Sequence, residues 1–297
     1  MRRVVHVGPL MAPGGMASVI KLLAANPPEG WRASSCNTFS RRGSIQKLRR
    51  WQIAKKEIKN GDFDLVHIHC AAGWSYKRKI SIAKVANAPV VFHIHSGKFD
   101  IDAKSELEDY EIVCLSDSWS KKLKPLIGDS ISVSNPVNPQ PIGNVERENF
   151  TLLMGRNDPV KGHAFAYSLG LDDLRVTGVE RAPEGVTALG WVSEEEKWRL
   201  LQTAGCLIVP SEYEGQPMVI LEALSVGCPV VASSNIPDLP DCVQAVDLGD
   251  EDGWKNAIAH PITEGLEEAV AKHHVEIVSK QWGEIYDRII DSNTSTE

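Results

Sequence analysis

Short β-rich runs alternate with helical stretches along the whole of this 297-residue chain. In the first half the β-rich runs are RRVVHVGPL, FDLVHIH, PVVFHIHSG and EIVCLSD. In the second half they are FTLLMGR, DLRVTGV, CLIVPS and PVVAS, again with helical patterning between them. This rhythm predicts βαβ units and parallel sheets, so the expected fold class is α/β.

A segment dense in Pro, Asn and Gly, VSNPVNPQPIGNVEREN, interrupts this alternation and is typical of a linker between domains. The chain is also longer than one hydrophobic core usually organises. We therefore predict two α/β domains, residues 1–138 and 139–265. A final amphipathic stretch, from Leu266 to Ile290, carries apolar side chains near helical spacing. They are Ala269, Val270, His273, Ile277, Trp282, Ile285, Tyr286 and Ile289.

The composition is that of an ordinary globular protein, with 42% hydrophobic and 24% charged residues. No run of about 18 apolar residues is present, and the N-terminus lacks the apolar stretch of a signal peptide. We therefore expect a cytoplasmic protein. The six cysteines are far apart in the sequence and form no C-x-x-C pair, so we predict reduced thiols, several of them in the core.

Charge is distributed unevenly between the halves. Residues 1–138 contain 21 Lys and Arg against 12 Asp and Glu, whereas the rest contains 11 against 27. The basic stretch from Arg41 to Asn60 also has an imperfect apolar stripe: Ile45, Leu48, Trp51, Ala54 and Ile58. Such a stretch is usually a solvated helix face. The alternative is attraction to an anionic acceptor or to membrane headgroups, at the inner face of the membrane. No nucleic-acid partner is expected.

The most informative segment runs PSEYEGQPMVILEALSVGCPVVAS, from residue 210 to 233. It has the pattern of strand, tight loop, helix, Gly stop and strand. Gly215 permits a sharp turn, Pro217 suits the first helical position, and Gly227 suits the end of the helix. The loop is therefore expected to aim free backbone N–H groups at the carboxyl ends of the strands, where phosphates bind.

Two carboxylates, Glu214 and Glu222, flank this turn with seven residues between them. Taken alone, they fit a solvated Glu and a helix-dipole Glu as well as a sugar site. The segment nevertheless resembles the Glu-seven-residues-Glu signature of the retaining glycosyltransferases of family 4, which have the GT-B fold. The resemblance implies two Rossmann-like domains facing each other across a cleft, with the C-terminal stretch, residues 266–297, packing back on the first domain.

Other pieces follow the order of that family. The run LMGRNDPVKGH, from residue 153 to 163, resembles its strand, Gly-Arg and Lys-Gly element. Arg156 and Lys161 would stabilise a departing nucleotide diphosphate, although two solvated cations are the alternative when the loop is considered alone. The paired glycines after the first strand match the family's glycine-rich loop but lack a G-x-G-x-x-G fingerprint.

Histidines form two alternating pairs, His67-x-His69 and His93-x-His95, whose members share a sheet face. Four imidazoles could bind zinc, or they could be strand-end residues beside the cleft. His95 resembles the family's histidine that reaches the donor sugar. Two D-x-D triplets, at residues 62–64 and 100–102, are short enough to arise by chance, and the resemblance implies no metal.

The resemblance therefore implies a metal-independent hexosyltransferase that uses a UDP or GDP sugar and a glycan or lipid-linked acceptor, without a cofactor. The alternatives are a nucleotide-sugar isomerase or epimerase, a non-catalytic nucleotide-sugar-binding protein, and a zinc hydrolase. The expected catalytic residues are His95, Arg156, Lys161 and Glu214. The expected donor-binding residues are Gly14, Gly15, Gly190, Trp191, Val192, Gly215, Gln216, Pro217, Met218, Val219 and Glu222.

Overall fold

The structure is a computed structural model that describes residues 1–12, 14–96, 98–141, 143 and 145–294. The described residues form two compact units, each built around a six-stranded parallel sheet. Unit 1 comprises Met1–Pro136 together with the C-terminal segment from His274, and unit 2 comprises Val137–His273. The predicted α/β class and the pair of Rossmann-like domains are therefore confirmed.

The strands follow the predicted alternation. In unit 1 they are β1 (Arg2–Gly8), β2 (Trp31–Asn37), β3 (Leu65–Cys70), β4 (Val90–Ile94), β5 (Glu111–Cys114) and β6 (Ile131–Ser132). In unit 2 they are β7 (Thr151–Leu153), β8 (Leu174–Val176), β9 (Val186–Ala188), β10 (Cys206–Val209), β11 (Val230–Ser233) and β12 (Gln244–Val246).

In each sheet, successive strands of the chain are added first on one side of the first strand and then on its other side; we call the position of this change the reversal point. The strand orders are β2-β1-β3-β4-β5-β6 and β12-β11-β10-β7-β8-β9. The reversal lies between β1 and β3 in unit 1 and between β7 and β10 in unit 2. In open α/β sheets, ligands bind outside the carboxyl ends of the strands at this position.

The helices begin and end near the predicted signals. They are α1 (Gly15–Ala25), α2 (Ser44–Asn60), α3 (Trp74–Ala83), α4 (Lys104–Leu107), α5 (Asp117–Ile127), α6 (His163–Ser168), α7 (Glu194–Thr203), α8 (Met218–Leu224), α9 (Glu251–Ala259), α10 (Leu266–Val270) and α11 (Val275–Thr294). Ser193 caps α7 by accepting a hydrogen bond from the N–H of Glu196, as the S-x-x-E pattern favours. Within the described ranges, none of these helices has the length and apolarity needed to cross a bilayer.

The C-terminal stretch is two helices rather than one. A 3₁₀ turn at Ala271–His273 separates α10 from α11. The segment from 266 to 273, which the sequence grouped with the first domain, lies in unit 2, where His273 accepts a hydrogen bond from the N–H of Val137. Because α11 begins anew at Val275, its apolar stripe changes phase. Ile277, predicted to face the core, is exposed.

Helix α11 packs against the sheet of unit 1, as the predicted fold requires. Tyr286 is fully buried and contacts the ring of Trp31 edge-on, with ring centroids 5.1 Å apart. Asp287 accepts hydrogen bonds from Arg2 and from the Trp31 indole at 2.6 and 3.1 Å. The last helix therefore completes the core of unit 1, although the 137 residues of unit 2 separate it in sequence from the rest of that unit.

Helix α2 buries less of its stripe than the sequence suggested. Ala54 and Ile58 are buried, whereas Ile45 and Leu48 are 70% and 54% exposed. The helix packs on β2 and α3 through its C-terminal half. Its N-terminal half therefore presents apolar and basic side chains to solvent.

Candidate active site

The loop after β7 is shaped by one acid and one glycine. The Asp158 carboxylate accepts a hydrogen bond from the N–H of Val160 at 3.1 Å and so caps the 3₁₀ turn Pro159–Lys161. Gly162 follows with a positive φ of 73°, and a Cβ atom there would lie 2.0 Å from the carbonyl oxygen of Pro210. The loop after β7 thus touches the loop after β10, at the reversal point of the sheet.

These two loops join Lys161 to Glu214. The N–H of Glu212 donates to the carbonyl of Val160 at 2.9 Å, which ties the loop backbones together. Lys161 Nζ then donates to Glu214 Oε1 at 2.5 Å, and Ser211 Oγ donates to the same oxygen at 2.9 Å. The Lys161 and Glu214 side chains are 26% and 14% exposed, so this ion pair is partly shielded from water.

Arg156 lies on the same loop but has a different partner. Its guanidinium donates to Asp158 Oδ2 at 3.0 and 2.9 Å, and its side chain is 48% exposed. The hydrogen bond from Arg156 and that from the N–H of Val160 hold the pKa of Asp158 below its usual value. Each predicted cation of the loop is therefore paired with a carboxylate.

Glu222 lies on α8 and is buried against α7. Its Oε1 accepts a hydrogen bond from Lys197 Nζ at 2.8 Å, and Lys197 also contacts the exposed Glu194 at 2.7 Å. Burial raises the pKa of Glu222, and the nearby ammonium opposes this rise. Burial alone would lower the pKa of Lys197, but Glu222 and Glu194 raise it, so the lysine stays protonated.

The start of α8 differs in one detail from the sequence prediction. Pro217 caps the helix in an extended conformation, with φ −71° and ψ 116°, and Met218 takes the first helical position assigned to Pro217. Pro217 has no backbone N–H. This costs no hydrogen bond, because the residue lies outside the helix, where that group would have no intrahelical partner. Met218 is buried, and Gly215, Gln216 and Val219 are half-buried.

The predicted Gly190-Trp191-Val192 segment lies beside the loop after β7. Gly178 is packed so closely that a Cβ there would lie 2.0 Å from the carbonyl oxygen of Gly155. The N–H of Gly178 donates to the carbonyl of Gly190 at 2.7 Å. This brings Gly190 to the carboxyl edge of the sheet near Gly155, with Trp191 exposed and Val192 half-buried.

In unit 1 the glycine-rich loop follows β1, at the reversal point of that sheet. Gly14 caps α1 with a φ of 125°, a conformation that favours glycine, and Gly15 begins the helix. Pro13, between β1 and these glycines, and Gly97, just after β4, lie outside the described residues.

A cluster of five histidines, His6, His67, His69, His93 and His95, lies on one face of β1, β3 and β4 and just beyond β4; we call it the histidine cluster. His69 Nε2 lies 3.1 Å from His6 Nδ1, and His69 Nδ1 lies 3.0 Å from His95 Nε2. Burial lowers the pKa of His6 and His95 to about 3, and that of the other three well below the usual value. The five imidazoles are therefore neutral at neutral pH.

The first D-x-D triplet is used within the fold. Asp62 pairs with Arg3 at 2.5 Å, and Asp64 accepts a hydrogen bond from the N–H of Arg3 at 2.6 Å. These carboxylates therefore anchor the start of β1, at the amino edge of the sheet. That edge is opposite the one where ligands bind in such sheets.

Sequence reasoning missed several residues of the site. Asp158 had a local signal, because Asp before Pro is a typical helix start. Lys197 had none that pointed to Glu222, since the two are 25 residues apart and meet only through the packing of α7 on α8. His6 lies opposite His67 in the pairing of β1 with β3. It was missed because it is the only histidine of β1 and so forms no alternating pair within its strand.

Part of unit 2 is similar in sequence to a known family. Residues 154–272 match the sequence profile of the family described as Glycosyl transferases group 1. This segment lies in unit 2 and includes Arg156, Lys161, Glu214 and Glu222. These matched residues are about two fifths of the chain.

Two relatives and one solved structure extend the comparison. The chain is 37% identical over 99 residues to the O-antigen chain mannosyltransferase B of Escherichia coli, covering 33% of this chain and 26% of that protein. It is 23% identical, over 81% of its length and 83% of the relative, to the "Uncharacterized 41.2 kDa protein in cps region" of Klebsiella pneumoniae. Sucrose-phosphate synthase from Thermosynechococcus elongatus superposes with a TM-score of 0.75 at 18% identity, covering 98% of this chain and all of that one.

The structural likeness establishes the GT-B fold. The family profile shows that most of unit 2 is similar to Glycosyl transferases group 1. The Lys161–Glu214 pair and Glu222 lie within the matched segment, at the carboxyl edge of the unit 2 sheet.

Proposed function

We propose that the protein is a retaining glycosyltransferase of family 4 that transfers a hexosyl group from a UDP or GDP sugar to a glycan or lipid-linked acceptor. The observation that carries this proposal is the Lys161–Glu214 pair at the reversal point of the unit 2 sheet, with Glu222 buried on the following helix. The name of the O-antigen mannosyltransferase supports a role in polysaccharide or glycolipid biosynthesis.

The diphosphate of the donor is proposed to bind Arg156 and Lys161. Both cations are held by carboxylates in the donor-free protein, Asp158 and Glu214. Phosphate oxygens would replace these carboxylates, and the charge that grows on the departing diphosphate strengthens the interaction in the transition state. The N–H groups near Gly215–Val219 add neutral donors. We therefore propose that transfer needs no divalent metal, because the chain supplies the positive charge itself.

The two glutamates are proposed to hold the two sugars of the donor. Glu214, released by Lys161, would accept a hydrogen bond from the transferred sugar, and Glu222 would accept hydrogen bonds from the ribose hydroxyls. His95 of unit 1 would orient the transferred sugar as a neutral imidazole. The acceptor hydroxyl would attack from the face that the diphosphate leaves and pass its proton to the leaving phosphate.

The test is single-turnover transfer by variants of the two paired residues. Donor class is first assigned by thermal stabilisation with UDP, GDP and ADP sugars. Glu214→Ala and Lys161→Ala should each lower the transfer rate at least about a hundredfold, because each removes charge or positioning from a shielded site. The matched controls, Glu212→Ala in the same loop and Lys255→Ala on α9, change exposed residues and should leave the rate unchanged.

The same assay separates the alternatives. An isomerase or epimerase would convert the donor without an acceptor. A binding protein would be stabilised by the nucleotide sugar and release no product. Near-normal rates in folded Glu214→Ala and Lys161→Ala proteins would refute the roles assigned to these residues.

We also propose that unit 1 contacts anionic membranes through the N-terminal half of α2. This half exposes Ile45 and Leu48 beside basic residues, with Trp74 of α3 also exposed. Apolar side chains flanked by Lys and Arg suit the boundary between headgroups and acyl chains. A lipid-linked acceptor would be presented at that boundary.

A further inference from the structure

The ring of His93 is buried without the hydrogen bonds that burial normally demands. Neither of its ring nitrogens has a hydrogen-bond partner among the described residues, and its side chain is fully buried. A neutral imidazole carries one N–H donor and one lone pair, and burying either without a partner is destabilising. An unmet pair of this kind calls for a ligand that the protein residues do not supply.

Two further imidazoles converge on His93. Its ring centroid lies 4.0 Å from that of His95 and 5.3 Å from that of His69. His69 Nδ1 and His95 Nε2 are 3.0 Å apart, and one ring nitrogen from each of the three histidines lies within 4.8 Å of the others. Around a tetrahedral Zn²⁺, with Zn–N of about 2.0–2.1 Å, ligand nitrogens lie roughly 3.3 Å apart. The His93 ring makes no hydrogen bond to a described residue, so turning it towards the other two nitrogens breaks none.

The outer side of the cluster suits metal ligation as well. His69 Nε2 lies 3.1 Å from His6 Nδ1, so its N–H can donate to His6 and leave the lone pair of His69 Nδ1 facing inwards. A histidine ligand usually donates its other N–H to such an outer partner, which fixes the tautomer. Because burial keeps these imidazoles neutral, their lone pairs are available near neutral pH.

We propose that His69, His93 and His95 form a binding site for one late transition metal ion of the Zn²⁺ class. Three nitrogen ligands and no carboxylate favour such an ion over Mg²⁺ or Ca²⁺, which prefer oxygen. His95 is half-buried, so it provides the side from which the ion enters and leaves a fourth coordination position open. His95 is also the residue proposed above to orient the transferred sugar, so a metal ion at its Nε2 and a sugar at His95 exclude each other. The test measures metal binding and no transfer.

One charge beside the site opposes a cation. Lys79 is buried, and its Nζ donates to the main-chain carbonyl of His69 at 2.8 Å. The ammonium repels a divalent ion in this low-dielectric environment. Replacing it by Met should therefore tighten metal binding, whereas loss of a ligand should weaken it.

The test uses untagged full-length protein, freed of metal by a chelator and titrated with Co²⁺ and Zn²⁺. Wild type should bind one equivalent of Zn²⁺ in equilibrium dialysis, and Co²⁺ should give the intense visible absorption of a tetrahedral site. His93→Leu should abolish this absorption and weaken Zn²⁺ binding at least about tenfold. Lys79→Met should strengthen binding by a similar factor. His260→Asn, a change at an exposed histidine, should have no effect.

Stability measurements keep the result interpretable. Without metal, His93→Leu should melt at or above the wild-type temperature, because it removes two buried polar groups that lack partners. Zn²⁺ should raise the melting temperature of wild type and not that of His93→Leu. Should His93→Leu fail to fold, His93→Asn takes its place. Weak octahedral Co²⁺ absorption, or Zn²⁺ binding that His93→Leu leaves unchanged, would mean an adventitious ion only and would overturn the proposal.

Discussion

The buried carboxylate of Glu222 depends on a single lysine. Lys197 donates to it at 2.8 Å, and both side chains lie largely out of water. Breaking a buried ion pair by removing one partner leaves an uncompensated charge, which the protein avoids by neutralising the group that remains. Lys197 is therefore a positioning residue that keeps Glu222 ionised for the ribose contact proposed above.

We predict that Lys197→Met weakens donor binding in a pH-dependent way. Burial already raises the pKa of Glu222, and loss of the ammonium raises it further. The carboxyl is then protonated at a higher pH than in wild type, and a protonated carboxyl has less capacity to accept hydrogen bonds. The dissociation constant of the nucleotide should rise about tenfold at pH 6 and recover towards pH 9. Calorimetric titration of the nucleotide between these pH values measures the change.

Two conservative variants control this experiment. Lys197→Arg retains the charge and should restore most of the affinity. Glu194→Gln removes the exposed second partner of Lys197 and should leave nucleotide binding almost unchanged. Equal affinity of wild type and Lys197→Met at pH 6 would show that Glu222 does not need its lysine.

Sequence alone reached some of these residues and missed others for a physical reason. The loop positions of Arg156, Lys161 and Glu214 follow from local turn chemistry and from the resemblance to a known family. Lys197 follows from neither, because its partner is set by how two helices pack. Pairings within one loop can be read locally, whereas pairings between elements require the fold.

At the scale of elements, helix α2 is only partly covered by the rest of unit 1. Its C-terminal half is buried on β2 and α3, and its N-terminal half exposes Ile45 and Leu48 within a strongly basic stretch. We predict that the pair of changes Ile45→Ser and Leu48→Ser lowers binding to anionic vesicles about tenfold, because inserted apolar area and charge attraction act together.

Vesicle sedimentation provides the measurement. Wild type should bind vesicles that contain phosphatidylglycerol and release at high salt, since headgroup attraction is screened. Ile262→Ser, a change at an exposed apolar residue of unit 2, is the matched control and should bind like wild type. Equal binding to vesicles of pure phosphatidylcholine would contradict a basic, headgroup-directed surface.

Element prediction succeeded where strands are central and failed at the margins. The runs that became β1, β3, β4, β5, β7, β8, β10 and β11 were apolar enough to recognise, with β3 buried throughout. The edge strands β2 and β12 are partly exposed and include polar residues, so they do not form apolar runs. The break between α10 and α11 has no Gly or Pro to indicate it, because it is set by where the chain leaves unit 2.

At the scale of the whole molecule, the two units differ in how they respond to acid. The five histidines of the histidine cluster in unit 1 have pKa values lowered mainly by burial. Below pH 6.5 the unfolded chain binds a proton at each of them and the folded unit does not. The free energy of unfolding therefore falls as pH decreases, by about 1.4 kcal/mol per histidine and pH unit.

We predict that unit 1 unfolds in mild acid before unit 2. For chelator-treated protein, five histidines together give a slope approaching about 7 kcal/mol per pH unit below pH 6. Lys79 does not alter this slope, because burial lowers its pKa only to about 8 and it stays protonated throughout. Urea unfolding at pH 7.5, 6.5, 6.0 and 5.5 should separate into two transitions, with the one assigned to unit 1 moving to lower urea.

A variant assigns the moving transition to the histidine cluster. His93→Leu removes one of the five neutral imidazoles, so the slope of unfolding free energy against pH should fall by about a fifth. The transition of unit 2 should keep its midpoint, since that variant changes no residue of Val137–His273. If His93→Leu leaves the slope of unfolding free energy against pH unchanged, the acid sensitivity lies outside the histidine cluster, in the carboxylates that form ion pairs within each unit. Because those carboxylates titrate mainly below pH 5, the interval between pH 6.5 and 5.5 distinguishes the two origins.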